Sequence, residues 1–199
     1  MIKIEDYKKE TLTIDLVKAN LYGMFAIIPI ILIYGIPFFI LWRDTFSKIS
    51  LKNFIDEFNS GILGNFLSIL AIITVGIILH ELIHGITWAK FADKGFRSIR
   101  FGVLWKMMTP YCHCKEPLKV WQYILGGIMP AIILGFLPFA YSLFTGNVFW
   151  LIFGIFFTMA AAGDFLIINL LLKEKKDDLV LDHPSEAGCY IFRKKENEN

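Results

Sequence analysis

Charged side chains are scarce in this 199-residue chain: Asp, Glu, Lys and Arg make up 19 % of it, against about 25 % in ordinary soluble domains. Apolar residues take up the difference at 56 %, where soluble domains hold roughly 45–50 %. A solvated globular domain is a poor fit to those figures, and one polytopic membrane domain is a good one. Cysteine is also rare, and Cys112, Cys114 and Cys189 all fall in segments assigned below to the cytoplasm, where thiols stay reduced. That excludes a disulfide framework. No polybasic tract is present, since the basic residues are dispersed and mixed with acids in both tails, so nucleic acid is not an expected partner. A cleavable leader is not expected either, because the first twenty residues are charged and the first apolar run is already of spanning length.

Four stretches are long enough to cross about 30 Å of hydrocarbon at 1.5 Å per residue: residues 21–42, 62–84, 120–144 and 148–172. Trp42, Trp121, Tyr123 and Trp150 stand near their ends as interfacial anchors, and Pro29, Pro37, Pro130 and Pro138 mark kinks that a helical bundle tolerates. The net charge of +2 says little, but its distribution says more. Lys and Arg number four in residues 1–20, three in 43–61, seven in 85–119, none in 145–147 and six in 173–199, so alternate compartments hold seventeen and three. The positive-inside rule then places both termini and the long middle loop in the cytoplasm, with the polar run Asn59-Ser60-Gly61 on the outer side.

This reading gives an all-α polytopic membrane protein with about four transmembrane helices: a cytoplasmic arm at 1–20, a membrane domain at 21–172 and a cytoplasmic tail at 173–199. The arm mixes apolar and charged residues as a surface-lying helix would. The second helix is expected to run through Ala89 and stop before Gly95. Beyond it, Ile99, Phe101 and Val103 alternate with Arg100 and Gly102, which predicts a short β-hairpin, or else a loop, after that helix. An exposed hairpin edge offers main-chain pairing to an extended peptide.

Histidine is scarce, with four copies, and two of them lie in His80-Glu81-Leu82-Ile83-His84 at the end of the second apolar stretch. Four His and nine Glu in 199 residues give roughly 0.004 chance occurrences of that pattern. On a helix, residues i and i+4 share a face, so His80 and His84 can point at one ion. Glu81 follows about 100° around the axis, placed to take a proton from water without ligating. A catalytic zinc wants three protein ligands and one open position. Asp164 is the best third candidate: counted from the outer face, His80 and Asp164 lie about 27 and 24 Å deep. His113, Glu116, Glu174, Asp182 and His183 sit in or near polar loops and are weaker candidates. Cys112-His113-Cys114 is a poor second metal site, because in an extended segment both thiols point away from the imidazole. The competing account pairs the two histidines with neighbouring helices, neutralises Glu81 with a lysine, and leaves Asp164 paired or capping a broken helix.

With His80-Glu81-Leu82-Ile83-His84-Gly85 and an intramembrane Asp164, the chain resembles the site-2-protease-like membrane zincins. More closely, it is similar to small bacterial membrane proteins grouped as zincin peptidases, through Tyr111-Cys112-His113-Cys114-Lys115-Glu116-Pro117-Leu118 and the tail segment Asp182-His183-Pro184-Ser185-Glu186-Ala187-Gly188-Cys189-Tyr190. It departs from site-2 proteases in its third ligand, which there precedes Gly and here follows it, as Gly163-Asp164-Phe165. The resemblance implies Zn2+ held by His80, His84 and Asp164, with Glu81 as general base. The implied function is peptide-bond hydrolysis in or near the bilayer of a cell membrane, on a peptide or membrane-protein substrate. His113 and Asn169 are candidates for stabilising the oxyanion. The alternatives are a non-proteolytic metal-binding membrane protein, either a regulator or an ion transporter, and a structural scaffold that needs none of the ligands.

Overall fold

The computed structural model describes residues 7–14, 16–46, 61–105, 109–184 and 186–195. Acidic residues 56 and 57 and most of the polar run expected between the first two spans lie outside these. Among the described residues, three helices are long and apolar enough to cross a membrane, or up to four if one bent pair counts as a single span. In chain order come strand β1 (Tyr7–Thr13), helices α1 (Leu16–Trp42) and α2 (Ile62–Ala89), and strands β2 (Ile99–Leu104), β3 (Thr109–Cys114) and β4 (Leu118–Lys119). Helix α3 (Val120–Pro130) follows, then a π-helical turn at Ala131–Phe136 and helix α4 (Leu137–Thr145). Helices α5 (Val148–Ala160) and α6 (Ala162–Leu171) and strands β5 (Leu179–Asp182) and β6 (Gly188–Lys194) complete the order.

Helix α2 ends at Ala89, and the chain turns at Gly95, whose φ of 58° is open to glycine at little cost. The hairpin follows: β2 and β3 pair antiparallel, with Phe101 opposite Cys112 and Ile99 opposite Cys114. The all-α expectation omitted a second sheet. Strands β1, β6, β5 and β4 pair in that order, so the segments expected as separate arm and tail share one sheet, with Tyr7 opposite Lys194 and Thr13 opposite Gly188. The Arg193 guanidinium secures that pairing by donating to both Glu174 oxygens at 2.6 and 2.7 Å and to Glu10 on β1.

A further difference concerns the fourth span, expected as one stretch over 148–172. It is two helices bent by 47° at Ala161. Ala160, Ala161, Ala162 and Gly163 supply no large side chain to hold the turns in line, and glycine weakens a helix by about 1 kcal/mol relative to alanine. The break puts Asp164 in the first turn of α6, where the positive end of the helix favours a carboxylate.

The chain divides into two compact units, one of residues 1–24, 81–130 and 161–199 and one of 25–80 and 131–160. The core of the first comprises Trp88, Ile99, Cys112, Cys114, Leu118, Val120, Tyr123, Leu171, Val180, Cys189 and Ile191. It joins the hairpin, the sheet, α3, α6 and the last turns of α2. The core of the second is built on Tyr34, Phe38, Phe139 and Leu151. There α5 comes so close to the π-helical turn that a Cβ on Gly154 would stand 2.7 Å from the Gly135 carbonyl oxygen. Pro138 explains the wide turn before it, since a proline cannot donate to the carbonyl four residues earlier and its ring collides with it.

Candidate metal centre

His80 and His84 stand one helical turn apart on α2, and both are buried. Asp164 comes from the first turn of α6 and is about one-quarter exposed. One ligand atom from each of the three lies within 4.8 Å of the other two. His84 Nε2 lies 3.3 Å from Asp164 Oδ1. Nitrogen and oxygen donors about 2.0–2.1 Å from a tetrahedral zinc are themselves about 3.3 Å apart. This edge therefore already has the length of a coordination edge.

The protonation pattern of His84 points the same way. Its Nδ1 lies 2.9 Å from the Gly126 carbonyl oxygen on α3. A carbonyl only accepts, so Nδ1–H is the donor and Nε2 is the atom turned to Asp164. A bare nitrogen lone pair facing a carboxylate at that distance is repulsive unless a cation, proton or metal, lies between them. Metal-bound histidines characteristically donate their other ring N–H to a carbonyl or carboxylate, which fixes ring orientation. His84 has that arrangement.

The sequence gives no sign of how this ring is packed. Trp88, one turn after His84, stacks on it with centroids 5.0 Å apart and planes 12° apart. Tyr123 of α3 also stacks on Trp88, again at 5.0 Å. Gly126 has no Cβ, and one there would fall 2.0 Å from Trp88 Nε1. Gly85 is similarly closed by the hairpin, since a Cβ on it would lie 2.7 Å from the Phe101 ring and 3.3 Å from Cys112 Sγ. The hairpin thus packs directly on the helix that carries Glu81, which is half-buried.

The weaker candidates are engaged elsewhere. Glu116 accepts from Ser98 at 2.7 Å, which holds its carboxyl below the usual range, and Glu174 is held low by Arg193 in the same way. His183 Nδ1 accepts the Glu186 N–H at 2.9 Å, and its ring lies on Tyr190. His113 packs on Tyr111, and Asn169 is exposed on α6. Cys112 and Cys114 take the buried face of β3 while His113 takes the other, as the alternation required. Burial pushes the Cys114 thiol up to about 11 and that of Cys189 up to about 12, and raises Cys112 as well, so all three are neutral thiols.

A family model described as "Putative zincin peptidase" matches residues 72–179, more than half of the chain. The chain belongs to this family. The matched stretch contains His80, Glu81, His84, Tyr123, Gly126 and Asp164, and the description supports a zinc metallopeptidase. No curated protein and no solved structure matches the chain.

Proposed function

We propose that this protein is a membrane-embedded zinc metallopeptidase of the site-2-protease-like kind, with His80, His84 and Asp164 as zinc ligands and Glu81 as general base. The observation that carries the reading is the 3.3 Å edge between His84 Nε2 and Asp164 Oδ1, on a ring whose Nδ1 is tied to the Gly126 carbonyl. When bound, zinc supplies a Lewis acid that polarises the scissile carbonyl and brings the pKa of water toward 7.

The chain's own residues do the rest. Glu81 accepts a proton from the attacking water as its oxygen bonds to the carbonyl carbon. It then delivers that proton to the amide nitrogen as the C–N bond breaks, releasing an amine and a carboxylic acid that retains the water's second proton until it ionises. Gly126 keeps His84 in one tautomer and one orientation throughout. The hairpin edge beside α2 is suited to hold the substrate extended by main-chain pairing.

The bilayer setting is supported by α1 and α2, whose outward side chains are large and apolar, including Phe25, Ile33, Ile40, Leu63, Phe66 and Ile78. Water would leave them costly, and lipid would not. By the distribution of Lys and Arg both termini face the cytoplasm.

Glu81→Gln is the decisive variant. Its expected outcome is zinc retained at wild-type stoichiometry with cleavage of a reporter membrane substrate reduced by about 10²- to 10⁴-fold, the usual worth of a general base. Undiminished cleavage would exclude this mechanism. Unchanged biological activity in an assay that requires only metal would favour a regulator or transporter instead.

A further inference from the structure

We infer that Asp182 is a positioning residue for the metal group, acting through Tyr123 and α3 on the orientation of His84. This inference rests on the metallopeptidase reading, and it assigns a role to a tail carboxylate three residues beyond the stretch matched by the family. Asp182 ends β5, and its two oxygens serve different elements. Oδ1 accepts from the Tyr123 hydroxyl of α3 at 2.5 Å, and Oδ2 accepts the Cys114 N–H of β3 at 2.7 Å. A single side chain therefore pins the hairpin, the sheet and α3 together.

Tyr123 passes that constraint inward by two routes. Its carbonyl accepts from Trp88 Nε1 at 3.1 Å, and its ring stacks on the same indole, which in turn stacks on His84. Three residues on, along the same face of α3, the Gly126 carbonyl receives His84 Nδ1–H. Rotating or sliding α3 by a fraction of an ångström would shift that carbonyl and the indole at once, and the imidazole contacts both. The tight fit leaves no slack, because Trp88 Nε1 fills the space where a Gly126 side chain would be.

The test uses the full chain in detergent, loaded with Co2+ as a spectroscopic substitute for zinc. The visible absorption band reports ligand geometry, and chelator competition reports affinity. Tyr123→Phe and Asp182→Asn are compared with wild type, and Tyr34→Phe, which deletes a buried 2.8 Å hydrogen bond to Thr158 in the other unit, is the control. Loss of the outer partners that orient a ligand weakens metal binding by about 10- to 100-fold. That loss, with an altered band, is expected for both variants, and the control should match wild type. If Asp182→Asn does not fold, Tyr123→Phe decides alone, since it keeps the ring stack and both α3 carbonyls and removes only the hydroxyl. Wild-type affinity and band shape in Tyr123→Phe would overturn the positioning role while leaving the metal site intact. Failure of the wild-type chain to bind Co2+ at all would overturn the metallopeptidase reading itself, and this inference with it.

Discussion

The two units of the chain satisfy their buried polar groups in different ways. In the unit of residues 25–80 and 131–160, helices approach through Gly76, Gly135 and Gly154, and core polar groups are met in isolated pairs, the Tyr34 hydroxyl with Thr158 Oγ1 at 2.8 Å and the Ser142 hydroxyl with the Phe139 carbonyl at 2.6 Å. In the other, buried His84 and Tyr123 and half-buried Asp182 are each partnered by hydrogen bonds that run from sheet to α3 to α2. Close packing suffices where a helix only has to fit. Where a ring must face one direction, a connected polar network is required, because packing alone leaves it free to turn.

A matched pair of substitutions puts the largest strain on this contrast. Gly126→Ala places a Cβ 2.0 Å from Trp88 Nε1, and Gly76→Ala places one 2.0 Å from the Phe157 ring. The steric insult is the same, and overpacking of this kind costs about 1–3 kcal/mol. Thermal unfolding in detergent should register it in both. Only Gly126→Ala should also weaken zinc binding, by about 10- to 100-fold, measured by chelator competition. Equal effects on zinc would mean that the fit of Gly126 against Trp88 has no special part in holding His84.

A smaller effect is expected from pH. Burial pushes the Asp182 carboxyl up to about 6, against the hydrogen bonds from Tyr123 and Cys114 that pull it down. A carboxyl whose pKa is raised on folding stabilises the fold at low pH, and that contribution is lost as the pH rises through the folded value. With an unfolded pKa near 3.9, the loss between pH 5 and 7 is on the order of 1 kcal/mol. Unfolding measured at the two pH values should show this decline, and Asp182→Asn should flatten it. A slope that the substitution leaves unchanged would mean that another group titrates.

How far the sequence leads depends on the distance over which each feature is encoded. The end of α2 and the β2–β3 hairpin are local, written in Gly95 and in the alternation of Ile99, Phe101 and Val103 with Arg100 and Gly102. His80 and His84 are equally local, since four residues on a helix fix their common face. The four-stranded sheet is different, because Tyr7 pairs with Lys194 and neither strand announces its partner. The break at Ala161 was legible only as a run of small residues, with nothing to say that it would bend rather than pack. The support of His84 lay furthest from view. Trp88 and Gly126 look like ordinary membrane-helix residues, and Asp182 reads in the sequence as a weaker candidate ligand, whereas its oxygens hold Tyr123 and Cys114.

The proposed chemistry requires three side chains from α2 and α6 to share one ion. Zinc content of the full chain, purified in detergent and equilibrated with limiting zinc, tests that directly when wild type is set beside His84→Ala and Asp164→Ala. The predicted result is one zinc per wild-type chain and a loss of stoichiometric binding in both variants. Zinc bound to Asp164→Ala as fully and as tightly as to wild type would contradict it.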